Sequence, residues 1–334
     1  MSTQTIGTQV QEALEAMKSR VIEHVFFVAC GGSSALMYPS KYAMDRESEK
    51  IRSDLYSSNE FIYRNPRALN EKALVILCSL SGTTPETVEA ARFARSKGAL
   101  TVSLTNVGDS PLAQASEHTV VFAWGEDIDP ADSGASMMYQ LVLGLLHHKE
   151  GNDKFLAYID SLGKLKSIYS QAWEQFTPNA KAFAEAYKDE KVIYTMASGS
   201  NFGAAYALSI CYFLEMQWIH SAAIHAGEYF HGPFEILDKD VPFFIILGLD
   251  ETRPLEERAL EFSRRYGERL VVLDAKEFDL SGIDEGIKGY IAAILISRLT
   301  RLYAKELVCG EKPPAHHQKI YVEGRILMPA GGCL

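Results

Sequence analysis

The residues that could do chemistry lie in three stretches of the chain. The first is Ser79-Leu80-Ser81-Gly82-Thr83-Thr84-Pro85-Glu86-Thr87. It follows the apolar run ALVILC and opens the helical pattern ETVEAARFARSKG. Pro85 suits a first helical turn, where its missing N–H is not needed. The hydroxyls at 79, 81, 83 and 84 therefore gather where backbone N–H groups have no helical partner. A helix N-terminus with free N–H groups and the positive end of its dipole attracts anions. A cap needs one or two hydroxyls; four in six residues point to a phosphate. Gly82 lets the backbone close around it.

The second stretch, Cys30-Gly31-Gly32-Ser33-Ser34, follows another strand-like run, HVFFVA. Alone it is a weak glycine signal. Beside a hydroxyl loop, Gly32 and Ser33 complete a cradle for a sugar phosphate. The third stretch runs from Cys211 to Glu235, CYFLEMQWIHSAAIHAGEYFHGPFE. Glu215 lies in an otherwise apolar or neutral helical segment. A carboxylate there resists ionisation unless it is paired, and a raised carboxylate serves as a proton shuttle. A structural ion pair is the alternative, and the residues alone leave both open. His231 precedes Gly232-Pro233 and so falls on a turn, from which it can reach a cleft. His220, His225 and His231 are spaced by five and six residues. Zinc pairs on one helix face need a spacing of four, so no metal site is expected. There is no GxGxxG and no GxxxxGK[ST], so no nucleotide cofactor is expected either. His316 and His317, after Pro313-Pro314, read as surface residues. Trp218 and Tyr229 read as core. Arg258, Glu261, Arg264 and Arg265 read as a solvated helix face.

These stretches must be held by elements that repeat. HVFFVACGGSSA, from His24, is echoed by KVIYTMASGSNFGAA, from Lys191. Val25 aligns with Val192, and Ser33 with Ser200. ALVILCSLSGTTPETVEAARFARSKGALTVSLT, from Ala73, is echoed by VPFFIILGLDETRPLEERALEFSRRYGERLVVLD, from Val241. Pro85 aligns with Pro254 and Gly98 with Gly267. The offset of about 167–169 residues is half the chain and marks an internal duplication. Apolar runs of strand length alternate with longer amphipathic segments. Each half is therefore expected to be α/β, a doubly wound, flavodoxin-like parallel sheet flanked by helices. The expected boundaries are an N-terminal helix over 1–20, a first unit over 21–150, connecting helices over 151–187, and a second unit with a tail over 188–334.

Composition narrows the partners. The chain of 334 residues has 33 Lys and Arg against 43 Asp and Glu, a net charge of −10. That argues against nucleic-acid or anionic-membrane surfaces, which call for a basic stripe. No run reaches the ~18 apolar residues that span a bilayer. The polar N-terminus shows no secretory signal. Cys30, Cys78, Cys211, Cys309 and Cys333 are odd in number and scattered, as expected of reduced thiols in a cytoplasm.

Taken together, these motifs resemble the SIS (sugar isomerase) family. Ser79 to Thr84 matches its phosphate signature Ser-x-Ser-Gly-x-Thr, and Cys30-Gly31-Gly32-Ser33 matches its first glycine loop. The two-copy layout is similar to the isomerase half of glucosamine-6-phosphate synthase, which implies two tandem SIS units. YTMASGSNFGAAY, LEMQWIHSA and GEYFHGPFE resemble the fructosamine 6-phosphate deglycases more closely, nearest their fructose-asparagine branch. In the synthase and the deglycases a Glu and a His sixteen positions apart serve as acid and base. The resemblance carries these roles to Glu215 and His231, and phosphate binding to Gly32, Ser33, Ser79, Ser81, Gly82 and Thr84. It further implies a homodimer whose catalytic His comes from the neighbouring subunit.

The chain departs from the synthase at Tyr212 and Leu208, where that enzyme has Lys and Glu. No glutamine-hydrolysing domain is expected ahead of the first unit, and the stretch ILMPAGGCL does not match the synthase's lysine-bearing tail. The expected activity is cleavage of a phosphorylated sugar–amino acid to glucose 6-phosphate and the amino acid. An aldose–ketose phosphosugar isomerase and a non-catalytic phosphosugar sensor are the alternatives.

Overall fold

A computed structural model describes residues 7–308. His316, His317, Cys309, Cys333 and the C-terminal tail lie outside them. The N-terminal helix is α1 (Thr8–Ser19), with Val10, Ala13, Leu14 and Met17 buried at helical spacing. It is followed by β1 (His24–Ala29), α2 (Gly31–Glu47), β2 (Arg52–Ser57), α3 (Ser58–Arg64) and β3 (Ala73–Cys78). Next come α4 (Pro85–Ser96), β4 (Leu100–Thr105), α5 (Pro111–Ala115), β5 (His118–Val121) and α6 (Gly134–Glu150). Every residue of β3 and β4 is buried, as helices on both faces of a parallel sheet require.

The five strands pair in parallel in the order β2-β1-β3-β4-β5. In this doubly wound order, ligands bind beyond the carboxyl ends of the strands where the order reverses, between β1 and β3. Ala29 pairs with Cys78, so the loops leaving β1 and β3 start side by side.

The connecting segment is one continuous helix, α7 (Lys154–Tyr187), rather than several. Its buried Phe155, Tyr158, Leu162, Leu165, Tyr169, Ala172, Phe176, Ala180 and Phe183 fall three or four apart along its whole length. Beyond it lie β6 (Tyr194–Ala197), α8 (Phe202–Ala207), a π-helical segment Leu208–Gln217, and β7 (Ala223–His225). The chain continues through β8 (Phe243–Leu247), α9 (Arg253–Tyr266), β9 (Leu270–Asp274) and α10 (Lys288–Val308). These four strands are also parallel, in the order β7-β6-β8-β9. That is the order of β2, β1, β3 and β4 repeated.

The expected α/β architecture of parallel sheets flanked by helices is therefore present. The halves share their interior. One hydrophobic cluster runs from Phe27 and Ile76 through Leu141, Leu165 and Phe176 to Phe244, Ile291 and Leu295. Among the described residues, no helix is long and apolar enough to cross a membrane.

One detail of the repeat is corrected. Gly31 and Gly199 each stand two residues past their strand, with φ of 55° and 50°. They are therefore equivalent, and Ser200 stands at the position of Gly32 rather than of Ser33. In the second loop the offset of 169 holds unbroken from the ends of β3 and β8 to Pro85 and Pro254.

Candidate active site

The hydroxyl loop joins β3 to α4, beyond the carboxyl end of the sheet. Ser79 is buried, Thr84 half-buried, and Ser81 and Thr83 exposed. Thr84 is the N-cap of α4, yet its side chain makes no cap hydrogen bond. Its hydroxyl pairs with Ser79 Oγ at 2.9 Å, and Ser81 Oγ pairs with Thr83 Oγ1 at 2.7 Å. Capping therefore does not account for the hydroxyls. Gly82 holds φ of 67°, and a Cβ there would lie 2.0 Å from Ser110 Oγ and 2.9 Å from Thr105 Oγ1. The loop is thus folded down onto the next strand–helix connection, with Ser81 and Thr83 facing out.

Beside it, Cys30 is the N-cap of α2 and likewise makes no side-chain cap. Ser33 hydrogen-bonds the Cys78 thiol at the end of β3, and burial pushes that thiol up to about 12. Two helix N-termini without side-chain caps therefore lie side by side, flanked by hydroxyls. This is an arrangement suited to one phosphate.

The second half brings Cys211, one turn before Glu215, to the start of α2. Helix α8 crosses α2 at Gly203, where a Cβ would meet Ala35 O at 2.3 Å and Tyr38 Cβ at 2.8 Å. Tyr38 packs on Phe202 and Tyr206 with ring centroids 5.5 and 5.9 Å apart. Further along, Cys211 Sγ lies 3.6 Å from a Cβ built at Gly32. The pairs 38 with 202 and 32 with 211 run antiparallel. Cys211 therefore lies at the start of α2, and Glu215 follows it one turn on along the same segment.

Glu215 is half-buried and makes no ion pair with a described residue, so the structural-pair alternative has no partner among them. Its charge adds to burial in pushing the Cys211 thiol up to about 11. The turn that carries it is π-helical and ends at Trp218, with φ of 57° and its N–H bonded to Phe213 O. Wide turns of this kind recur at functional sites.

A model of the SIS domain matches residues 20–145. The chain is 55% identical over 318 residues to the fructosamine deglycase FrlB of Bacillus subtilis (strain 168), covering 95% of this chain and 97% of that one. The chain belongs to the SIS-domain family of the fructosamine deglycases. It is also 28% identical to the fructoselysine 6-phosphate deglycase of Escherichia coli (strain K12), over 86% of this chain and 82% of that one. A crystal structure from Bacillus subtilis, provisionally described as a phosphosugar isomerase, is 55% identical and superposes with a TM-score of 0.90. The superposition covers 92% of this chain and 96% of that one.

Within this SIS-domain deglycase chain, His231 lies on a different element from Glu215. It closes a short 3-10 turn, Tyr229–His231, and is exposed. Tyr229 anchors the turn, fully buried with its hydroxyl 3.0 Å from Ser263 Oγ. Phe230 lies under the Arg258 guanidinium at 4.1 Å from the ring centroid. Gly232, with φ of 139°, turns the chain away. No hydrogen bond or ion pair joins His231 to Glu215 among the described residues. His225 is structural: its Nδ1 accepts from Gly227 N–H at 3.1 Å.

At the positions that depart from the synthase, Leu208 is fully buried. Tyr212 packs against the main core, and burial pushes its hydroxyl up to about 12. Trp218, expected in the core, is instead 43% exposed, because the π-helical segment ends on it. Arg258, read as solvated, covers Phe230, while Glu261 and Arg265 do pair on the surface.

Sequence reasoning passed over two buried acids. Glu256 is 0% exposed and accepts hydrogen bonds from the backbone N–H groups of Ser198 and Gly248 and from the Ser198 hydroxyl. Asp250 is 8% exposed and binds Ser200 and Thr252. The repeat offset was the available signal, since it sets Asp250 at Ser81 and Glu256 at Thr87.

Proposed function

We propose that this chain hydrolyses 6-phosphorylated Amadori compounds to glucose 6-phosphate and a free amino acid. Such a substrate carries a C2 carbonyl and an amino acid nitrogen on C1, and direct C1–N cleavage is hard. Glu215 takes a proton from C1 to form the enaminol and returns it to C2, leaving an imine at C1. Water adds to the imine and the amine departs, giving the C1 aldehyde. His231 opens the sugar ring and protonates oxygen. General acid and base groups of this kind each contribute about 10²–10⁴-fold.

Ser33, Ser79, Ser81 and Thr84, with the backbone at Gly32 and Gly82, hold the phosphate. That remote binding keeps C1 and C2 in register. The observation that supports the reading is Cys211, one turn before Glu215, packed against Gly32 of the glycine loop. Its setting is a chain 55% identical to a fructosamine deglycase.

The same reading treats residues 21–150 and 188–334 as two tandem SIS units joined by 151–187, supported by the repeated strand order. It places the enzyme in the cytoplasm, as a homodimer. The exposed His231, unjoined to Glu215 in its own chain, is supplied to the partner's site.

Incubation with 6-phosphofructose-aspartate, fructoselysine 6-phosphate and fructose 6-phosphate tests the reading. Glucose 6-phosphate and an equal amount of amino acid should appear from one or both of the first two. Turnover of fructose 6-phosphate alone would make the chain an isomerase, and no turnover a sensor.

A further inference from the structure

The two halves differ at two equivalent places, Ser81 against Asp250 and Thr87 against Glu256. In the first half, Ser81 turns back on Thr83: Thr83 N–H donates to Ser81 Oγ at 3.3 Å. In the second half, Asp250 stands at the position of Ser81 and Thr252 at that of Thr83. Asp250 Oδ1 makes the same turn, accepting from Thr252 N–H at 2.9 Å and from the Thr252 hydroxyl. The carboxylate has a second oxygen, which the serine lacks. That oxygen, Oδ2, reaches across to the other loop and accepts from Ser200 N–H at 3.0 Å and from the Ser200 hydroxyl.

The glycines show what the extra oxygen fills. A Cβ built at Gly31 meets no described atom within 4 Å. One built at Gly199 meets Thr252 Oγ1 at 2.3 Å and the two Asp250 oxygens at 2.7 and 2.8 Å. Below it, Glu256 takes the N–H groups of Ser198 and Gly248, at 2.9 and 2.6 Å. The first half has Thr87 there.

We propose that Asp250 is a built-in stand-in for a phosphate. It occupies the second pair of loops, so each chain takes a phosphosugar only in its first half. This rests on the first loop pair being the phosphate cradle. The donors of the second cradle are consumed by the chain's own carboxyl groups, and an incoming oxyanion would meet the negative charge of Asp250. The bridge also fixes Ser200 at the start of the segment that leads to Glu215.

The test is the stoichiometry of inorganic phosphate bound by the full chain, measured by equilibrium dialysis. Wild type should bind one phosphate per chain, lost or weakened in Ser81→Ala. Asp250→Ser should bind two, and Asp250→Asn, which keeps the volume and an acceptor oxygen, should bind one. Two phosphates on wild type, a second phosphate on Asp250→Asn, or no gain in Asp250→Ser would each overturn the proposal. If wild type binds none, the first-half cradle is wrong. A gain from none to one in Asp250→Ser would still support the stand-in. If Asp250→Ser is unfolded alone, phosphate should restore its near-ultraviolet circular dichroism; failure to do so counts against the proposal.

Discussion

Ser81 and Thr84 are where the phosphate reading is most exposed to test. A hydrogen bond to a charged group contributes about 1.5–3 kcal/mol, so losing one weakens binding by roughly tens-fold. Ser81→Ala and Thr84→Ala should each raise KM for a phosphorylated substrate by about that factor, in steady-state kinetics. Wild-type KM in both would place the phosphate elsewhere. These residues were legible because a helix N-terminus is local: hydroxyls before Pro85, after a buried strand, can be read without knowing the rest of the fold. Asp250 and Glu256 were not, because acids around TRPLEER look like an ordinary solvated helix start. Only the pairing of the two loops buries them.

Elements decide what those acids do. Burial, with the charge of Asp250 nearby, outweighs the hydrogen bonds from Gly248 and Ser198 and pushes Glu256 up to about 7 from an ordinary 4.5. The folded chain therefore holds this proton more tightly than the unfolded chain. The stability it contributes is complete below about pH 4.5 and is lost as pH rises towards 7. Glu256→Gln lacks this proton. Its melting temperature relative to wild type should rise across that window by something on the order of 2–6 °C. A difference that does not change with pH would mean Glu256 does not titrate there. The π-helical turn under Glu215 belongs to the same scale. The apolar pattern YALSICYFLEMQ indicates a helix, but its side-chain spacing does not distinguish an i→i−4 ladder from i→i−5. The backbone register follows from how the segment crosses α2 and closes on Phe213, contacts that lie far apart in sequence.

At the scale of the whole molecule, the duplication was visible as an offset of half the chain, and the strand order repeats as it implied. The shared interior was not visible, because a sequence repeat does not say whether two copies bury their faces separately or against each other. Nor does sequence say which chain completes a site. If His231 serves the partner's site, Glu215→Gln and His231→Ala, each inactive alone, should regain activity when mixed. Random exchange between dimers would restore about a quarter of wild-type turnover, since one site in each heterodimer keeps both native groups. No recovery, with exchange demonstrated, would put both residues in one chain.

Glu215 is the centre of the account, and the turnover of Glu215→Gln tests it most directly. The variant should be assayed on whichever phosphorylated Amadori compound the wild type cleaves, with its melting temperature measured alongside. Because Gln keeps the shape of Glu and Glu215 has no ion-pair partner among the described residues, the fold should survive with little change in melting temperature. Loss of the proton shuttle should lower kcat by about 10²-fold or more while KM stays close to wild type. Near-normal kcat, with a lowered melting temperature, would contradict the account and make Glu215 a structural residue.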